Sequence, residues 1–545
     1  MVKIRAMKKN FFLFFIFIIQ LGFAQIEDAW VYFNDKPNAA TYLANPLSML
    51  TQRSIDRRTA QGISIDVTDV PIEPTYISQI ASSTGITVMA KSKWLNALHI
   101  RGTQADIQAL TGLSFVNHIT FANHSLNPGG RLSGSTTRVG AVNKNLDALI
   151  NYNYGGSTNQ IEMLNGHLLH QQNYTGQGKI IAVLDSGFIG VNSVAPFQNL
   201  INNSQILGGY NFPDGNSNIY TRHNHGTMVL STMGGYADGQ LVGTAPNASY
   251  YLFITEDVNS ENPVEESYWV EGAELADYYG VDVINSSLGY FDYDNPNYSH
   301  QYDDMIGTKT FASRGANMAF SKGIVVVVSA GNSGATAEPH IATPADAFGA
   351  LTIGAVQSNE SYAAFSSIGP SYDGRVKPDV CAKGQAATVS NTSGTIVTAN
   401  GTSFSGPIMA GMVATFWSAV PTLTATQVVN FIRQSADQYT TPTPQKGYGI
   451  PDFQLALNNA LHTTSFTTES NFTLVANPVE NDLKFNFGST INEGKLSLFN
   501  ALGQIILEIR LTKENNSIDV QNLSNGLYYY NFESTQNFKG KIIKK

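Results

Sequence analysis

Uninterrupted apolar runs restrict the folds open to this chain more than anything else in it. Ile180 to Leu184, Val281 to Ile284 (broken only by Asp282) and Ile324 to Val328 each lie between glycine or polar turns. A strand with one face in water alternates polar and apolar residues, whereas a strand that does not alternate is covered on both faces, as in a parallel sheet. Strand, turn and helix alternate through this region, so the central block reads as α/β, with a mainly parallel sheet flanked by helices. The three runs lead into Asp185, into Asn285-Ser286-Ser287-Leu288-Gly289 and into Ser329-Ala330-Gly331-Asn332. The carboxyl edge of such a sheet is where α/β proteins bind their ligands.

A second stretch, Asn400-Gly401-Thr402-Ser403-Phe404-Ser405-Gly406-Pro407, opens the apolar run Ile408 to Trp417. A serine in the first turn of a buried helix lies among free backbone NH groups at the positive end of the dipole, which favours a developing oxyanion and suits a nucleophile. Gly406, Ala410 and Ala414 recur every four residues and keep one helix face small. Pro407 is expected in the first turn, where its missing NH is no loss. Taken singly, Ser403 reads as a helix cap, Asp185 as a turn former, and His225, in His225-Gly226-Thr227-Met228-Val229, as a satisfied surface or core group. Their joint occurrence is what carries information.

Composition limits the function classes. Of 545 residues only 13% are charged, the net charge is −9, and no basic block lies outside the two ends, so a nucleic-acid binder's electrostatic footprint is missing. Lys3, Arg5, Lys8 and Lys9, then Phe11 to Ile19, then Leu21-Gly22-Phe23-Ala24 follow the order of a secretory signal peptide over residues 1–24, too short in its apolar part for a comfortable membrane span. No transmembrane anchor is expected in the mature protein. The one cysteine, Cys381, excludes an intramolecular disulfide and reads as core.

Asp185-Ser186-Gly187, His225-Gly226-Thr227, Ser287-Leu288-Gly289, Ala330-Gly331-Asn332 and Gly401-Thr402-Ser403 together resemble the successive signature blocks of the subtilisin-like serine proteases (peptidase S8 family), in that family's Asp, His, Ser order. The resemblance covers roughly Leu164 to Leu461 and implies a peptidase domain over 161–462. It implies that Ser403 is the nucleophile, His225 its base, Asp185 the group that orients the imidazole, and Asn332 with the Ser403 NH the oxyanion donors. It further implies that Ser287, Leu288 and Gly289 pair with an extended substrate and form one wall of its pocket, with Ser329, Ala330 and Gly331 as the other. Both walls are small and uncharged, so no preference for basic residues is expected. Met228 and Phe404-Ser405-Gly406 depart from the usual residues at positions that touch no reacting atom. The chemistry requires no cofactor. Structural calcium is conceivable, and the oxygen-rich loop Phe291 to Asn297 matches no EF-hand spacing. No Gly-x-Ser-x-Gly elbow or His-Glu-x-x-His is present, which counts against an esterase or a zinc protease. A catalytically inactive protease fold used for binding is the alternative.

Residues 25–121 read as a small α/β unit with strands at 85–90, 95–100 and 116–119 and a helix at 104–110. Between a signal and a peptidase, such a unit fits a propeptide that assists folding and blocks the site. The Gly, Ser, Thr and Asn-rich stretch 122–160 is expected to be a linker and processing region. After Leu461 the texture changes to short alternating strands, Asn477-Pro478-Val479, Leu496 to Gln504 and Leu523 to Tyr529, before the basic end Lys541 to Lys545. Residues 468–545 are similar to the C-terminal sorting domains of the type IX secretion system, physically a β-sandwich. The implied partners are protein or peptide substrates and that secretion machinery, and the implied location is secreted or at the cell surface.

Overall fold

The computed structural model describes residues 25–127, 152–464 and 472–545 apart from 476, 489–490, 501–503 and 535–536. The expected signal peptide and the middle of the expected linker lie outside the described residues. One compact unit runs to Ala456 and a second holds Leu457 to Lys545.

In the first unit, four antiparallel strands come first: β1 (Ile26–Phe33), β2 (Thr87–Ser92), β3 (Ala97–Thr103) and β4 (Val116–Phe121), in the order β2-β3-β1-β4. Strand β1 has no counterpart among the expected elements. Its residues Ala29, Val31 and Phe33 join Leu98, Ile100 and Ile107 in a core of their own, while Trp30 and Tyr32, pointing the other way, enter the core of the central body. Antiparallel sheets usually leave one face in water. In this one the two central strands, β1 and β3, are covered on both faces, which is why Ala29 to Phe33 read as continuous apolar chain.

The central sheet has seven parallel strands: β5 (Ile180–Asp185), β6 (Ile206–Asn211), β7 (Ser249–Ile254), β8 (Val283–Ser286), β9 (Val325–Ser329), β10 (Ala350–Val356) and β11 (Val380–Lys383), ordered β11-β10-β9-β8-β5-β7-β6. The chain leaves β5 toward β7 and β6 and then crosses back to β8, so the order reverses beside β5. That reversal opens a crevice at the carboxyl ends of β5 and β8.

Five helices matter here: α1 (Gln52–Ala60), α2 (His225–Gly234), α3 (Val264–Tyr279), α4 (Phe311–Ser321) and α5 (Thr402–Ala419). Every residue of α5 from Thr402 to Trp417 is buried, as a helix apolar on all sides must be. A Cβ on Gly406 would come within 2.6 Å of the Ser329 hydroxyl, so the small face of α5 is what lets it lie on the end of β9.

Pro407 is not in the first turn, contrary to expectation. The helix begins at Thr402, which places the proline in its second turn and leaves the Ser403 carbonyl without the NH it would normally receive. Ser287 Oγ supplies that hydrogen bond instead, at 3.1 Å.

Both described ends of the expected linker are packed chain. His124 NH donates to the Asn297 carbonyl at 3.2 Å, and Tyr154, Ser157 and Gln160 are buried in the central body. Cys381 is buried in β11, as the core reading requires.

The second unit is a β-sandwich. Phe472–Leu474, Asp482–Phe487 and Ser517–Asp519 form one antiparallel sheet, and Glu493–Phe499, Ile505–Thr512, Gly526–Glu533 and Asn537–Lys544 form the other. Phe472, Phe485, Leu496, Leu498 and Phe532 share the core between them, with the rings of Phe472 and Phe532 stacked 3.7 Å apart. Among the described residues, no helix is long and apolar enough to cross a membrane.

Candidate active site

Asp185 ends β5 and is fully buried. Its Oδ1 accepts from the Ser186 NH at 2.7 Å and from Nδ1 of His225 at 2.8 Å. Position 225 is the first residue of α2, so its side chain stands at the sheet edge where the helix starts. A carboxylate can only accept, so Nδ1 of His225 carries a hydrogen and Nε2 is the nitrogen left for chemistry. Burial works against a charged imidazole, yet the adjacent Asp185 charge and hydrogen bond outweigh it and hold the His225 pKa above its ordinary 6.5.

Ser403 lies in the first turn of α5, beside this pair: the ring of Phe404, the next residue, is 6.1 Å from the His225 ring. Ser403 and His225 share no hydrogen bond among the described residues. Such bonds are often long until substrate arrives. Gly401, at φ 148, makes the turn into α5 in a conformation open to glycine.

Asn332 follows β9. Its Oδ1 accepts from the Thr402 NH at 2.9 Å and from the Thr402 hydroxyl at 3.1 Å. Because the backbone NH can only donate, these bonds decide which way the amide is turned and leave Nδ2 free as a donor. The Thr402 hydroxyl in turn accepts from the Gly331 NH at 3.2 Å. Sequence reasoning gave Thr402 no role. Its only signal was its place immediately before Ser403.

The six expected substrate contacts divide into two groups. Ser287 Oγ donates to the Ser403 carbonyl and Ser329 Oγ to the Thr402 carbonyl at 2.8 Å, so both hydroxyls hold the start of α5. Ala330 is buried, with its NH on the Ile353 carbonyl. Leu288 and Gly331 are partly exposed and Gly289 is exposed, which leaves these three facing the crevice edge. In the Phe291 to Asn297 loop, Asp294 Oδ2 accepts from the Glu261 NH, Asn295 Oδ1 from the Asn297 NH, and the Tyr293 hydroxyl donates to Glu266.

A doubly covered parallel sheet with an aspartate–histidine pair, a helix-start serine and an oriented asparagine at one crevice defines a serine peptidase class of site. The family model described as the subtilase family matches residues 176–450, and the chain belongs to that family. It is 31% identical over 278 residues to subtilisin DY of Bacillus licheniformis, covering 51% of this chain and 90% of the relative. It is 32% identical over 299 residues to subtilisin E of Bacillus subtilis (strain 168), covering 54% and 70%. The protein is accordingly a subtilisin-like serine endopeptidase. Residues 28–138 match the peptidase S8 propeptide domain of Bacteroidota, and 476–545 match a secretion system C-terminal sorting domain, so the chain is a precursor and its product is secreted or displayed at the cell surface. Among solved structures, the epidermin leader peptide processing serine protease (EpiP) from Staphylococcus aureus shares the fold, with TM-score 0.52 and 15% identity over 79% of this chain and 98% of that one.

Proposed function

We propose that Ser403, His225, Asp185 and Asn332 hydrolyse peptide bonds of extracellular proteins. The observation that carries this reading is the pinning of His225 Nδ1 on Asp185, which reserves Nε2 for the serine. Ser403 Oγ attacks the substrate carbonyl as its proton passes to Nε2, and the carbonyl oxygen becomes an oxyanion received by Asn332 Nδ2 and the Ser403 NH. The imidazolium, stabilised by Asp185, then gives its proton to the leaving amine, and water repeats the sequence to release the acid. These steps use only side chains, backbone donors and water.

The substrate strand lies along Leu288 and Gly289, with Gly331 opposite, and the pocket takes apolar residues before the scissile bond. Faster cleavage after Arg or Lys than after Leu or Phe would overturn that preference. The C-terminal sandwich is the part read by type IX secretion machinery. A fluorophosphonate probe tests the catalytic assignment. Label is expected on Ser403 of the matured protein and lost in Ser403→Ala. An unlabelled, folded wild-type protein would mean that this chain uses the fold for binding.

A further inference from the structure

We propose that the precursor binds one divalent transition-metal ion of the zinc class between its propeptide and peptidase, through His124, His300 and Asp304. One ligand atom from each of these residues lies within 4.8 Å of the others. His124 belongs to the propeptide match and the other two to the peptidase match, so the cluster exists only while the two are docked.

The strongest pointer is His300. Its side chain is 8% exposed, and its Nδ1 is buried without a hydrogen-bond partner. Its other nitrogen, Nε2, is 2.8 Å from Oε1 of Glu266. That carboxylate is itself fixed, accepting from the Tyr293 hydroxyl at 2.7 Å and from the Ala312 NH at 2.9 Å. A buried carboxylate that takes the hydrogen of one ring nitrogen and aims the lone pair of the other is the usual support of a metal-binding histidine.

Nδ1 faces Asp304 Oδ2 at 3.8 Å. Tetrahedral zinc with bonds of about 2.0–2.1 Å needs ligand atoms roughly 3.3 Å apart, so a small closure suffices. The exposed side chain of His124 can supply it, since its one described hydrogen bond is to the Tyr298 carbonyl at 3.2 Å. Two imidazoles and a carboxylate suit zinc better than calcium, which prefers an all-oxygen shell. Lys309 is the competing cation, paired with Oδ1 of Asp304, while Oδ2 accepts from the Gln301 NH at 2.8 Å and keeps a second lone pair for the metal. A cavity of ≈ 380 Å³ lined by all three ligands provides the way in and room for a fourth, water ligand.

An ion held this way stabilises the docked propeptide and is released when His124 leaves with it. The test uses full-length precursor carrying Ser403→Ala, stripped with chelator and titrated calorimetrically with Zn2+ and separately with Ca2+. One zinc per chain is expected, with no response to calcium and a higher unfolding temperature in zinc. His124→Ala should weaken zinc binding at least tenfold and abolish the temperature shift while unfolding like its parent without metal. Glu266→Gln should weaken it by about 10–100-fold. His167→Ala, outside the cluster, should change nothing. No saturable zinc binding, or binding that survives His124→Ala unchanged, would overturn the proposal and leave His300 as a partner of Glu266 and Asp304 alone.

Discussion

With Nδ1 of His225 on Asp185, the ring can take the serine proton only at Nε2, and only when neutral. The raised His225 pKa therefore sets the acid limb of activity. kcat/KM should climb with pH through a midpoint above 6.5, and a midpoint at or below 6.5 in a pH–rate profile would contradict the pairing. Asn332→Ala should lower kcat on the order of a hundredfold to a thousandfold with KM little changed, the magnitude known for the corresponding side chain in subtilisin. Thr402→Val removes one of the two bonds that turn the Asn332 amide but leaves the backbone one, so a smaller loss, again in kcat, is expected. Burial pushes the Cys381 thiol up to about 12, so it should resist thiol reagents until the protein unfolds.

Helix α5 depends on hydroxyls borrowed from two strand ends. Ser287→Ala would leave the Ser403 carbonyl, already deprived of an NH by Pro407, unsatisfied in a buried place, at a cost of about 1–3 kcal/mol in denaturant unfolding and with reduced turnover. Helix α1 joins the propeptide to α3 through charge. Arg57 and Arg58 each reach Asp277 at 2.5 Å, and Arg58 also grips Asp69 with two bonds. Removing Asp277 leaves the buried Arg57 guanidinium without its ion pair while Arg58 keeps Asp69, so Asp277→Ala should destabilise the docked precursor by about 3–5 kcal/mol.

Glu271 on α3 meets Lys91 of β2 at the same junction. Burial pushes its carboxyl up to about 8, against the pull of Lys91. Release from the propeptide returns the carboxyl to water and lowers that pKa, so docking favours the protonated form. Its contribution to docking is lost as pH rises through about 8. Propeptide affinity measured across that window should fall with pH, and Glu271→Gln should flatten the fall.

At the scale of the molecule, the C-terminal sandwich has a core of its own, so a chain ending before Phe472 should keep the peptidase's unfolding temperature and lose export. Secretion of that shortened chain at the normal level would remove the sorting role. Local pattern was enough for the covered strands around Asp185, Ser287 and Asn332, for the chain order of the four site residues, and for the alternating strands of the tail. Apolar periodicity and short motifs are properties of neighbouring residues, and these features depend on little else. The double burial of β1, the use of the Ser287 and Ser329 hydroxyls to hold the start of α5, and the use of Thr402 to turn Asn332 were not legible. Each depends on a partner brought close by folding: Ser287 and the carbonyl it serves are 116 positions apart, and Arg57 and Asp277 are 220 apart. A hydroxyl or a guanidinium has the same local sequence whatever it meets, so its role exists only once the sheet, α5 and the docked propeptide have closed around it.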